Sequence, residues 1–339
     1  PAAQCPTWQA ALAAIFCGDA ELLRYFQILI GYALTGATHW QVVIIFHGTG
    51  ANGKTTVLVT VQFVLGPDYA QQLDPEEIML QTHARHSTER AALRGARFVA
   101  VVETAEGRRL NEPLIKSLSG GDPMRARFMR QDSFEFVPEL KLFVGTNHKP
   151  VIRDTSNGMW RKIRLIPFEA KFEGAARDSN LLEKLKTEGD GILTWAVEGA
   201  RIAVAGEPTV PECVLAASKS YQNSEDVLGR FLTDCCSTKW DFATVEVALL
   251  REAFEKWTGG RGMSPKAFSQ AILDRGFKDK RGTGGKRLFC GLALIDTDLQ
   301  EPVTDSDTLS VSHARKGFSR DYTDELSLSV TEHGDEAAT

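Results

Sequence analysis

Residues 46–58 read FHGTGANGKTTVL, and this stretch decides the fold. It fits G-x-x-x-x-G-K-[ST] from Gly48 through Thr49, Gly50, Ala51, Asn52 and Gly53 to Lys54 and Thr55, with Thr56 following. In such a loop, small residues let consecutive backbone N–H groups curl around phosphate oxygens. The lysine brings a point charge to the β and γ phosphates, and the threonine hydroxyl serves Mg²⁺. The flanks agree with this reading. Gln41 to Phe46 is a short β-branched run of the kind that forms a buried parallel strand, and Lys54 to Leu65 reads as an apolar helix stopped by Gly66-Pro67. Strand, loop and helix in that order aim a helix N-terminus at an anion. The expected fold class is therefore α/β, a phosphate-loop domain built on a parallel sheet.

The chain has 339 residues, 43% apolar and 24% charged, which suits a globular protein of about two domains. No run approaches the roughly 18 uninterrupted apolar residues of a membrane span. The first residue is Pro1, with no initiator methionine and no signal-peptide layout, so the sequence reads as an excised part of a longer protein. The six cysteines lack C-x-x-C spacing and nearby histidines, which points to reduced thiols rather than a zinc site. His148 is read as the only histidine beside a candidate site. The net charge of −5 hides a gradient, because residues 296–339 carry eleven acids against three bases. Residues 141–164 hold six bases and one acid, with Lys116, Arg125, Arg127 and Arg130 just upstream.

Residues 1–40 read as an N-terminal helical segment, with Thr7 capping one helix, Asp19 capping a second and Gly36 ending it. The α/β core with its trailing helices spans 41–206. Its strands are expected at 41–46, 97–102, 140–145 and 164–167, its helices near 112–118 and over 181–205, and a β-hairpin over 124–137. Two prolines in residues 206–211 suggest a linker. Residues 212–297 carry helical patterns at 214–236, 245–257 and 265–274, then a glycine-rich turn and a strand, the layout of a winged-helix-like domain. From residue 298 the chain is acidic, rich in Ser and Thr, and expected to be disordered.

A phosphate loop needs partners before it can hydrolyse anything: an acid at a strand end to hold Mg²⁺, a group to orient water, and positive charge for the transition state. Phe98 to Val102 is an apolar strand that delivers Glu103 at its C-terminal end, with Glu106 as a second candidate. Leu142 to Thr146 is another, and it delivers Asn147.

Together these segments resemble a known family. Gly48 to Thr55, FVAVVETAEGRRL (98–110), KSLSGGDPMRARFMRQD (116–132), KLFVGTNHKP (141–150) and GMWRKIRLIPF (158–168) resemble the ordered motifs of superfamily III helicases, and most of all the helicase module of phage, plasmid and poxvirus primase-helicases. CPTWQAAL (5–12), GILTWAVEG (191–199) and the region from Pro211 to Leu294 extend the likeness to roughly residues 5–295. The resemblance implies a AAA+-like ATPase, assembled as a hexameric ring with ATP sites between subunits, that moves 3′ to 5′ on single-stranded DNA and opens forked duplexes. It implies ATP and Mg²⁺ at Lys54 and Thr55, Glu103 as the acid serving Mg²⁺ and water, Asn147 as the sensor, and an arginine finger within residues 160–164. Arg161, nearer a loop from which a finger could protrude, is favoured over Arg164. Many members place two adjacent acids at the second motif, whereas Thr104 follows Glu103 here. A primase domain, upstream or in trans, fits the likeness, as does the cytoplasm of a bacterial or phage-infected cell.

The hairpin places Arg125 and Arg127 on one strand face and Arg130 near the tip. With Lys116 they form a candidate contact to DNA phosphates, which needs no base specificity. Two other readings compete: a nucleotide-switched initiator or loader that holds duplex DNA without processive unwinding, and a phosphate-loop kinase. The kinase is disfavoured because it needs an acceptor pocket rather than a basic hairpin.

Overall fold

The computed structural model describes residues 3–81, 88–154, 156–260 and 263–295. It divides into two compact units, Pro1–Val227 and Leu228–Thr339.

The first unit opens with two helices, α1 (Pro6–Ile15) and α2 (Ala20–Thr35). The Asp19 carboxylate accepts the Leu22 N–H at 2.9 Å and Gly36 closes α2 in the left-handed region, as the sequence suggests. Thr7, in contrast, does not cap α1. It lies inside the helix, and its own N–H and that of Trp8 donate to the Glu188 carboxylate at 3.0 Å each. A cap supplied from 181 residues away leaves no local signature in the chain.

Next come β1 (Val43–His47), α3 (Lys54–Leu65), β2 (Ala70–Gln72), the short α4 (Thr88–Ala91), β3 (Phe98–Val102) and α5 (Glu112–Gly120). The hairpin strands β4 (Met124–Ala126) and β5 (Phe134–Phe136) follow, then β6 (Lys141–Thr146), the single turn α6 (Asn157–Trp160) and β7 (Ile163–Pro167). Three helices complete the unit: α7 (Leu181–Thr187), α8 (Gly189–Ala205) and α9 (Glu212–Glu225). Five strands form one parallel sheet in the order β2-β3-β6-β1-β7. Because every strand runs the same way, His47, Val102, Thr146 and Pro167 all end at one edge. β6 lies between β1 and β3, so the residue after β6 sits between the phosphate loop and the residue after β3.

Strand alternation sends side chains into two cores, one on each face. Ile44, Phe46, Phe98, Ala100 and Phe143 join α1, α2, α3 and α8 on one side. Val43, Ile45, Val99, Val101, Leu142 and Val144 join α5, the hairpin base and Tyr221 on the other. Helices α2 and α8 touch backbone to backbone. A Cβ on Gly31 would stand 2.1 Å from Ala200 N, and one on Gly199 would stand 2.1 Å from Gln27 O.

The helical pattern expected over 214–236 breaks at Asp226 into α9 and a further helix. α9 belongs to the first unit: Ser218 Oγ accepts the Leu165 N–H at 3.0 Å, and the fully buried Tyr221 packs edge-on against Trp160. The compact unit thus continues beyond the expected 206–211 linker to Val227.

The second unit begins one residue into α10 (Val227–Cys235) and holds β8 (Cys236–Ser237), β9 (Thr244–Glu246), α11 (Val247–Trp257), α12 (Pro265–Leu273), β10 (Lys278–Arg281), β11 (Arg287–Cys290) and β12 (Ala293–Leu294). Strands β10, β11 and β9 make a small antiparallel sheet, and β12 pairs with β8. Phe231, Phe254 and Phe268 form its aromatic core, with successive ring centroids 5.2 Å apart. The acidic segment from residue 298 lies outside the described residues.

Candidate nucleotide site

The phosphate loop follows β1 and is bent by residues with positive φ, namely Gly50 (106°), Ala51 (49°) and Gly53 (86°). Gly48 is required for a different reason: a Cβ there would stand 2.1 Å from Asn52 Nδ2 and 2.3 Å from the Phe168 carbonyl oxygen. That closeness lets the buried Asn52 side chain tie the loop to the end of β7, with Nδ2 donating to Phe168 O at 3.1 Å.

Lys54, 7% exposed, is the hub. Its Nζ donates to Gly48 O, Asn52 Oδ1 and Asn147 Oδ1, each at 2.8 Å, which uses all three ammonium hydrogens. Burial lowers its pKa, and the Glu103 carboxylate works in the opposite direction. The structure therefore brings together the loop lysine, the residue after β3 and the residue after β6. Thr55 is exposed and Thr56 half-buried on the wall of the same cavity, whereas the exposed Thr49 is not on that wall.

Glu103 leaves β3 in the left-handed region, φ 63°, with its N–H donating to Gly145 O at 2.8 Å and its side chain exposed on the cavity wall. Thr104 turns inward instead. It is 4% exposed, and its hydroxyl lies 2.6 Å from Thr146 Oγ1 and donates to His148 O at 3.1 Å. A second acid at this position would be buried against a hydroxyl and a carbonyl, which explains why a threonine follows Glu103. Glu106 lies off the cavity wall, with its carboxylate 4.0 Å from His148 Nδ1. His148 is not the only histidine near the site. His47, at the end of β1, is half-buried, and its pKa is lowered first by burial and then by the charges of Lys149 and Lys54.

The cavity measures about 660 Å³ and reaches well beyond the loop. Its other walls are one side of α1 and the segment from Phe172 to Leu182, neither of which sequence reasoning identified. The Phe172 N–H donates to Ala51 O at 2.7 Å, and a Cβ on Gly53 would stand 2.7 Å from Ile15 Cδ1. Among the described residues, no group of three or more His, Cys, Asp or Glu could hold a metal ion. The oxygen donors on offer are the exposed Thr55 hydroxyl and Glu103 carboxylate, a hard set that suits Mg²⁺ when phosphate oxygens and water complete it.

The remaining basic residues lie elsewhere. Arg161 precedes β7, so it sits at the amino edge of the sheet, opposite the loop, exposed and with no ion pair among the described residues. Arg164 is engaged, with Nη2 3.2 Å from Glu207 Oε1 and Nη1 donating to Arg161 O at 2.6 Å. Lys162 is buried and donates to Gln41 Oε1 at 2.8 Å. Lys116 is paired with Asp154 at 2.5 Å. Arg125, 83% exposed, faces Glu135 at 3.9 Å, and Arg127 and Arg130 are exposed. Strand β4 ends at Ala126, so Arg127 lies beyond it in the turn, and Arg130 occupies the left-handed region at φ 60°. Met129, beside it, is 74% exposed.

Residues 46–162, which contain Lys54, Glu103, Asn147 and Arg161, match a family described as of unknown function (DUF5906). A protein of Acanthamoeba polyphaga mimivirus, provisionally named a helicase, is 30% identical over 176 residues, 50% of this chain and 18% of that protein. A Frog virus 3 protein with the same provisional name is 24% identical over 71% of this chain and 26% of its own length. An African swine fever virus protein, provisionally named a primase, is 25% identical over 64% of this chain and 24% of its length. The chain thus spans about a fifth to a quarter of these relatives. Its fold is shared with the NrS-1 C-terminal region, whose apo structure superposes with a TM-score of 0.53 at 10% identity over 85% of this chain and 76% of the other. The chain is thus similar to viral proteins provisionally named helicases and primases, in keeping with the helicase resemblance read from its motifs. No helix among the described residues is long and apolar enough to cross a membrane.

Proposed function

We propose that this chain is the ATP-hydrolysing motor of a replication helicase, working as a hexameric ring that moves 3′ to 5′ on single-stranded DNA and opens forked duplexes. The observation that carries the reading is the convergence on one cavity of Lys54, Glu103 and Asn147, delivered by three neighbouring strands of a parallel sheet. An entering triphosphate would offer its oxygens to the Lys54 ammonium in place of acceptors the lysine now holds. Thr55 and Glu103 would hold Mg²⁺, which supplies charge neutralisation at the β and γ phosphates. Glu103 and Asn147 orient a water toward the γ-phosphorus. As the new P–O bond forms, the bond to the β–γ bridging oxygen breaks, the water proton passes to Glu103, and ADP and phosphate result.

Arg161 is assigned as the finger acting on a neighbour's nucleotide. It lies at the sheet edge opposite its own loop, so it serves a site only where one copy's amino edge meets the next copy's carboxyl edge. That contact is heterologous and closes into a ring. Arg125, Arg127 and Arg130 on the exposed hairpin are assigned to DNA phosphates. Lys116, already paired with Asp154, is the least available of the four proposed contacts. The viral relatives, provisionally named a helicase and a primase, support a role in genome replication; action in the host cytoplasm and a primase domain upstream or in trans are part of the proposal.

The second unit favours one rival. Two helices, α11 and α12, followed by a β-hairpin whose Lys278–Arg281 strand is exposed, support the expected winged-helix-like reading, and a duplex-holding loader would carry such a domain. Steady-state ATP hydrolysis with and without single-stranded DNA, for wild type and Lys54→Ala, separates the readings. A motor shows DNA-stimulated hydrolysis that the variant loses. Hydrolysis indifferent to DNA refutes the motor and leaves the loader.

A further inference from the structure

The second unit carries a charged surface that the nucleotide site does not use. Residues 278–287, KDKRGTGGKR, hold five bases against one acid. They form β10, the turn after it and the start of β11, and β10 is the edge strand of its sheet, with every residue exposed. Two of the bases are engaged: Asp279 holds Arg287 at 2.6 Å, and Glu246 holds Lys286 at 2.8 Å. Lys278, Lys280 and Arg281 have no ion pair among the described residues. Three unpaired cations therefore share a strand that runs roughly 10 Å from Lys278 to Arg281, at about 3.4 Å per residue.

We propose that the acidic segment 296–307 of the same chain is the occupant of this strand, its carboxylates set against Lys278, Lys280 and Arg281, so that the chain screens its own basic edge from other polyanions. Three observations support this. The sign of the sequence reverses directly after β12: residues 296–307, DTDLQEPVTDSD, hold five acids and no base. The point of departure is fixed beside the same sheet, because the Ile295 N–H donates to Cys235 O at 2.9 Å, and Cys290, only a short stretch upstream, lies opposite Lys278. The tether also reaches. An extended chain covers about 3.3–3.6 Å per residue, so residues 290–296 place the start of the segment within roughly 20 Å of Cys290, and the segment itself can span roughly 40 Å, more than the strand. A tether this short holds a ligand at an effective concentration in the millimolar range, which lets exposed ion pairs that are individually weak act together. Lysines on an edge strand also discourage pairing with another sheet, but that role needs no occupant. The contact lies wholly within the second unit and is independent of the nucleotide reading.

Zero-length carbodiimide coupling of the full wild-type chain tests the placement, because it joins a lysine amine to a carboxylate only where the two touch. Mass spectrometry of an equal mixture of unlabelled and ¹⁵N-labelled protein separates links within one chain from links between copies. The expected result is Lys278 or Lys280 linked to a carboxylate of residues 296–307 within one chain, falling severalfold at 1 M salt, where the screening length is about 3 Å. No link to β10, or links only between copies, would overturn the proposal. Binding of fluorescein-labelled heparin, a generic polyanion, reads the screening. If the segment covers the strand about nine-tenths of the time, neutralising Asp296, Asp298, Glu301, Asp305 and Asp307 to their amides should raise heparin affinity about tenfold. The gain should vanish when Lys278→Gln, Lys280→Gln and Arg281→Gln are present, all at exposed positions. An equal gain with and without those three substitutions would show a general charge effect and refute occupation of β10.

Discussion

Replacing Asn147 by alanine should separate nucleotide binding from nucleotide turnover. The Lys54 ammonium has three hydrogens, each given to an acceptor at 2.8 Å: the Gly48 carbonyl, Asn52 Oδ1 and Asn147 Oδ1. Gly48 and Asn52 are buried within the loop, whereas Asn147 is exposed at the end of β6, so its oxygen is the acceptor a phosphate most readily displaces. A hydrogen bond to a charged group contributes about 1.5–3 kcal/mol, and in Asn147→Ala the one to Asn147 is already absent before the triphosphate arrives. ATP affinity should therefore stay the same or rise. Turnover should behave in the opposite way, because the amide, on the wall of the same cavity, is proposed to orient the attacking water and to contact the γ-phosphate. Loss of one preorganised group of this kind costs about 10² to 10³ in kcat, or about 2.7–4 kcal/mol of barrier. The assay is single-turnover ATP hydrolysis alongside equilibrium ATP binding. A fall in kcat of about 10²-fold or more without weaker binding is expected. Turnover within threefold of wild type would refute the sensor role, and a hundredfold weaker affinity would show that Asn147 acts by holding Lys54.

Two further substitutions probe the edges of the proposed motor. Arg161→Ala should lower ATP turnover by about 10³ to 10⁵, as removal of an arginine finger does, while largely sparing ATP binding. Near wild-type hydrolysis in that variant would transfer the role to Arg164, which Glu207 now engages. Arg130→Ala should weaken single-stranded DNA binding about equally across sequences and reduce the slope of log affinity against log salt by about one, measured by fluorescence anisotropy. An unchanged slope would remove the hairpin tip from the DNA path.

The features legible in the chain were those written in local backbone chemistry. Helix α3 begins at Lys54 and ends at Leu65, as its flanking glycines predict, and the Asp19 cap and the hairpin appear where turn and alternation signals put them. What escaped depends on partners far along the sequence. The cap on α1 is Glu188, and nothing near Thr7 announces it. The domain boundary was misplaced because Gly206 to Pro211 looks like a linker, whereas whether a helix returns to the sheet depends on Ser218 and Tyr221 meeting β7 and α6. The far wall of the cavity escaped for the same reason: α1 and residues 172–182 join the loop only in space.

Thr104 shows how register settles a question that motif matching leaves open. In the sequence, a threonine in place of a second acid leaves Glu103 and Glu106 as rivals. Pairing of β3 with β6 sets Val102 beside Gly145, so the next residues leave the two strands together. The positive φ of Glu103 turns its side chain out to the cavity wall and sends Thr104 inward to meet Thr146. A buried, unpaired carboxylate costs several kcal/mol, whereas a hydroxyl in that position satisfies both Thr146 and the His148 carbonyl. The same bonds hold the chain on both sides of Asn147, so the residue that completes the Lys54 triad is positioned by the residue that replaces the second acid.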